Sequence, residues 1–107
     1  MAKKVRIVRS KGNIFADLGL DNANELNVKS HLAIFISKMI QHLGLTQGQA
    51  ATKMGVKQPD VSKLLRGNLD GFSLERLLGF VRSLGSDIEI KVGPVKKNQK
   101  GKMLVDA

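Results

Sequence analysis

The chain has 107 residues, no cysteine, and 18 lysines and arginines against nine acids, a formal net charge of +9. That length suits one small domain with a modest core, and the missing cysteines exclude disulfides and thiolate metal sites and fit a reducing compartment. The longest mainly apolar run, Leu32 to Ile40, is broken by Ser37 and Lys38 and is too short to span a bilayer. No apolar signal segment follows the charged start, so a soluble cytoplasmic protein is expected.

The charge sits at the two ends. The first twelve residues hold five cations and no acid, residues 93–107 carry a net +3, and the span between is nearly neutral. Such arms suit a polyanion such as nucleic acid, and equally suit plain solubilising tails. Residues 1–21 are therefore set apart as a basic N-terminal arm, 22–92 as the folded domain, and 93–107 as a basic disordered tail.

Within the first arm, Val5 to Arg9 (VRIVR) has the alternation of a short strand, and Gly12-Asn13 marks a turn. Ile14 to Leu18 could form one helical turn with Phe15 and Leu18 as apolar handles. This arm is too short to fold alone and must dock on the body or on a partner.

Asn22 with Glu25 three residues later has the form of a capping box, opening a long helix to about Leu43 with Gly44 beyond it. Leu32, Phe35, Ile36, Met39, Ile40 and Leu43 recur at spacings of three and four, so one face is expected to be buried.

The stretch LTQGQAATKMGVKQPDVSKLLRG, Leu45 to Gly67, carries the densest pattern. Thr46 and Gln49 form a second capping box, and the helix they open should cover about Gln47 to Met54 and stop at Gly55. Val56 is an apolar anchor. Pro59 falls in the first turn of the next helix, where a missing N–H costs nothing, and that helix runs to Arg66 and stops at Gly67. Ala50, Ala51, Met54, Val56, Val61, Leu64 and Leu65 supply the inner faces. A short helix, a glycine-containing turn and a second helix is the arrangement of the DNA-reading helix-turn-helix.

Asn68 to Gly71 read as a polar loop, after which Ser73 caps a helix over Leu74 to Leu84, with Phe72 and Leu77 as a hydrophobic staple. Leu74, Leu77, Leu78, Val81 and Leu84 face inward, Gly85 ends the helix, and Gly79 inside it suggests a close helix crossing. Asp87 to Val92 (DIEIKV) then changes to a period of two, with Ile88, Ile90 and Val92 on one face. A lone strand leaves donors and acceptors unpaired. Its partner is expected to be either its own copy in a second subunit, which makes Ile88, Ile90 and Val92 dimerisation residues, or Val5 to Arg9.

The pattern T-Q-x-x-A-A-x-x-x-G-V…V-S-x-L-x-x-G resembles the Cro/repressor (Xre-type) helix-turn-helix superfamily over about residues 32–84. With GNIFADLGL before it and GFSLERLLGFVRSLG and DIEIKV after it, residues 12–92 are similar to antitoxins of the HigA type. The fold class this implies is mainly α, a lambda-repressor-like helical domain with a C-terminal strand used in dimerisation. The function it implies is a homodimer that binds its own operator in double-stranded DNA and neutralises a RelE-like, ribosome-dependent mRNA-cleaving toxin. A stand-alone or phage-type regulator shares much of this layout.

The first turn of the second motif helix should enter the major groove, so Gln58, Pro59, Asp60, Ser62 and Lys63 are the candidate groove residues. The Gln58 amide suits bidentate pairing with adenine and matches the family's base-reading glutamine, while Pro59 offers an apolar face to a thymine methyl. Ser62 can take a base edge or a phosphate. Asp60 either accepts from a cytosine amino group or stabilises the positive helix end and orients Gln58 or Lys63. Gln47 matches a family glutamine that bonds phosphate and buttresses the reading helix. Thr46, Lys53, Lys57, Lys63 and Arg66 are candidate phosphate contacts, the cations being otherwise a solvated helix surface. Gly48 departs from the family's helix-favouring residue and should loosen the first motif helix by about 1 kcal/mol.

His31 and His42 are eleven residues apart on one helix, roughly 16 Å along its axis, too far to share a metal. No nucleophile–base pair or phosphate-cradling glycine loop occurs. Neither enzyme chemistry, nor a cofactor, nor a metal is expected. A toxin contact would use what the DNA face leaves free, and Val5, Ile7, Phe15 and Leu18 in the N-terminal arm are the candidates.

Overall fold

The computed structural model describes residues 3–5 and 19–106, arranged as a strand β1 (Lys3–Val5), four helices α1 (Asn22–His42), α2 (Gln47–Met54), α3 (Gln58–Leu65) and α4 (Leu74–Ser83), and a strand β2 (Ile90–Val92). α1 packs chiefly on α4 and α2 on α3, while α1 also meets α3 and α2 meets α4. The four helices therefore share one apolar centre. No helix among the described residues is long and apolar enough to cross a membrane.

The cap of α1 lies one residue earlier than expected. Asp21 is the N-cap, its carboxylate accepting from the Asn24 backbone N–H at 2.7 Å. An aspartate at that place satisfies a free donor and adds a favourable charge at the positive helix end. Glu25 is thus freed from capping and pairs with Lys29 one turn on, at 3.9 Å. Val28, Leu32, Ala33, Ile36 and Ile40 form the buried stripe, with Phe35 and Met39 packed beside it. Leu43, expected in that stripe, is 43% exposed. It is the C-cap, where the chain leaves the helical path through Gly44, so its side chain is carried off the stripe.

α2 and α3 fall where expected. Ala50, Ala51, Met54, Val61 and Leu64 are buried, and Val56 and Leu65 pack against the same cluster. The loop after α3 is less polar than its composition suggested, because Leu69 is buried there. Ser73 caps α4 by accepting from the Arg76 N–H at 3.1 Å. Phe72 and Leu77, the two staple positions, are both in the core, and Phe80 is a buried residue the inward-facing set had omitted. Gly79 is exposed, and a Cβ built there would meet nothing within 4 Å. No helix crosses closely at that point.

β1 and β2 pair antiparallel, with Lys3 opposite Val92, Lys4 opposite Lys91 and Val5 opposite Ile90. Within one chain, then, the last strand takes the N-terminal segment as its partner. The ladder starts before the expected Val5–Arg9 strand, and residues 6–18, including Ile7, Phe15 and Leu18, lie outside the described residues. Asp87, Ile88 and Glu89 precede the ladder rather than joining it. Among the described residues after Gly93 the chain forms no helix or strand, yet the segment around Met103, expected to be part of a disordered tail, is docked on α1. The Asn24 amide donates to the Met103 carbonyl at 2.9 Å and accepts from the Met103 N–H at 3.0 Å. Met103 and Val105 pack against the core.

Candidate nucleic-acid interface

The capping box at the start of α2 is complete. Thr46 Oγ1 accepts from the Gln49 N–H at 3.1 Å, and Gln49 Oε1 accepts from the Thr46 N–H at 2.9 Å. Both satisfied donors would otherwise be orphaned at the helix end, so the box sets where α2 begins. Gly55 ends the helix in the left-handed conformation, φ 73° and ψ 31°. The Val56 N–H returns to the Ala51 carbonyl at 2.9 Å. That reversal fixes the angle between α2 and α3. A side chain at this φ is strained even though a Cβ would find open space.

Lys57 is the N-cap of α3 and caps without a side-chain bond, and Pro59 sits in the first turn. Apolar Val61 and Leu64 turn inward onto the core, which sends the intervening polar positions outward. Gln47 at the start of α2 joins Gln58, Pro59, Ser62, Lys63 and Arg66 of the α3 region around one shallow open groove. Six of the candidate side chains, drawn from two helices, thus meet on one surface, whereas Thr46, Lys53, Lys57 and Asp60 are not in its lining. Thr46, Lys53, Lys57, Gln58, Pro59, Lys63 and Arg66 are all exposed. Among the described residues, neither the Gln58 amide nor the Ser62 hydroxyl is consumed by a hydrogen bond. Lys53, Lys57, Lys63 and Arg66 likewise make no ion pair. Gly48, opposite this groove's glutamines, would place a Cβ 4.0 Å from Gln58 Oε1, an ordinary contact, so the glycine is not required by space.

Asp60 behaves differently from its neighbours. It turns from Gln58 and Lys63 toward α4, where its Oδ2 lies 3.7 Å from Arg76 Nη2. The Arg76 guanidinium in turn lies 5.0 Å from the Phe72 ring centroid and 5.4 Å from that of Phe80. Arg76 was not singled out in the sequence, although its placement four residues from each aromatic was a readable signal for a cation between rings.

Of the candidate dimerisation residues, Ile88 packs partly on the core of its own chain and Ile90 is half-buried, whereas Val92 is 55% exposed. His31 Nδ1 sits 2.9 Å from the Asn27 carbonyl oxygen one turn back. Among the described residues no group of three or more potential metal ligands converges.

A family model described as a helix-turn-helix domain matches residues 14–93. A solved structure described as an XRE family transcriptional regulator is similar to this chain with 33% identity and a TM-score of 0.74. The match covers 81% of this chain and 99% of that one. No curated protein matches. The matched span includes all four helices, the Gly55 turn and β2, and with that extent of likeness the chain belongs to the XRE helix-turn-helix family.

Proposed function

We propose that this protein is a DNA-binding transcriptional regulator that represses from its own operator as a homodimer, reading base edges with Gln58, Pro59 and Ser62. One observation carries this reading: Gln47, Gln58, Pro59, Ser62, Lys63 and Arg66 line a single exposed groove built on the helix-turn-helix. Amide and hydroxyl groups free of internal partners are suited to base edges, and the surrounding cations to phosphates. Two such faces one duplex turn apart need two subunits. The exposed Val92 and, among the described residues, an edge of β2 with no strand beside it support a strand-mediated pairing of those subunits. A cytoplasmic location accords with a chromosomal target.

The finer role we propose is that of an antitoxin, which also neutralises a RelE-like toxin. Support comes from the extended sequence resemblance over residues 12–92, with the N-terminal arm as the toxin contact. A second reading, a stand-alone regulator, is favoured by the solved relative, described as a transcriptional regulator and matched over 99% of its length. The test of DNA reading is selection of duplexes from a randomised library by the purified protein. Enrichment of one motif is expected, with Gln58→Ala plus Lys63→Ala abolishing binding to it while the helical spectrum is kept. Unchanged binding by that variant would refute the assignment of α3. Native mass measurement of the complex purified from its source separates the two roles: a small basic partner at fixed stoichiometry supports the antitoxin, a bare dimer the stand-alone regulator.

A further inference from the structure

The reading helix carries one acid, Asp60 in its first turn. Left unpaired, that carboxylate would sit two residues from Gln58 and three from Lys63, in the same helix turn proposed to enter the groove. It would repel the backbone, compete for Lys63, and offer an acceptor to a cytosine amino group. The structure supplies an alternative partner outside the motif. Arg76 reaches Asp60 from α4 at 3.7 Å, with the Asp60 side chain 33% exposed. Its guanidinium is steadied by two buried rings, Phe72 and Phe80, which stack edge to face at 6.1 Å. Its backbone is held by the Ser73 cap. A cation seated on aromatic faces at the base of a helix is poorly free to wander, so it acts as a fixed counter-charge rather than a swinging one.

We infer that Arg76 is a positioning residue for base recognition: it draws the Asp60 carboxylate toward α4 and neutralises it, leaving Gln58, Ser62 and Lys63 to define what α3 reads. This rests on the DNA-reading assignment of α3. The same counter-charge keeps the protein from acquiring a taste for cytosine at the base pair facing residue 60.

The experiment is a double-mutant cycle of Arg76→Ala and Asp60→Asn in the full chain, using a duplex selected by the wild-type protein and its three variants at each central base pair. Arg76→Ala is expected to weaken binding roughly fivefold per subunit, the repulsion that a released Asp60 carboxylate about 4 Å from a phosphate charge would exert in water. It should also gain a preference for cytosine at one position. Both effects should vanish in the Asp60→Asn background. Arg76→Lys, which keeps the charge without the planar stacking, should fall between wild type and alanine. Melting curves accompany each variant. The inference is overturned if Arg76→Ala loses the same factor in both backgrounds, which would mean a direct phosphate contact or a loss of fold. It is equally overturned if Arg76→Ala changes neither affinity nor base preference. Failure of the wild-type protein to enrich any duplex would instead sink the reading on which this rests.

Discussion

Replacing Asn24 by alanine tests the part of the structure that the sequence least suggested. The Asn24 amide faces the Met103 peptide as another peptide would, donating at 2.9 Å and accepting at 3.0 Å. Each such bond contributes about 1 kcal/mol net, so losing both costs about 2 kcal/mol. Alanine recovers up to about 0.7 kcal/mol through its better helix propensity. The cap itself survives, since Asp21 accepts from the backbone N–H of residue 24 and not from its side chain. A net loss of about 1–1.5 kcal/mol should lower the melting temperature by roughly 5–10 °C in a domain of this size. Thermal and urea unfolding of four proteins gives the answer: wild type, Asn24→Ala, a chain ending at residue 101, and the two changes combined. Truncation should cost more than the point change, because Met103 and Val105 also lose their packing. In the truncated chain Asn24→Ala should be neutral or slightly stabilising, its partner being gone. If it destabilises the truncated chain as much as the full one, the amide acts within α1 and the docking of the C-terminal segment is wrong.

Leu64→Ala removes a buried side chain from the inner face of α3. It should cost about 2–5 kcal/mol, a large share of the roughly 5–15 kcal/mol typical of a folded domain. Urea unfolding would show it as a lower midpoint at unchanged slope. Gly55→Ala should lose about 1–2 kcal/mol through left-handed strain alone, because the added methyl meets no neighbour. Substitution by Asn, which tolerates that conformation better, should lose less, and equal melting temperatures for all three would refute the strain argument.

The motif was legible because its signals are local. Thr46 with Gln49, the Ala50-Ala51 pair, Gly55 and Pro59 each state a backbone condition within a few residues, and the structure meets every one. The same locality explains the one-residue error at α1. Asp21 and Asn22 are both good capping residues, and propensity alone does not choose between adjacent ones. Gly79 misled for a related reason: a helical glycine signals either a close approach or nothing, and only the neighbouring helix decides which. Leu43 and Leu69 exchanged their expected places for want of the path the chain takes after each helix ends.

The amino-acid order by itself determined the four helices, the Thr46 and Ser73 caps and the polar face of α3, since 3.6-residue periodicity and end signals act over single turns of chain. Tertiary structure alone decided that the Asp60 charge is met by Arg76, that β2 pairs with residues 3–5 of its own chain, and that Met103 docks on Asn24. These contacts join residues from 16 to nearly 90 positions apart. No local propensity encodes such separations, which are settled only when helices have packed and brought their surfaces within bonding distance.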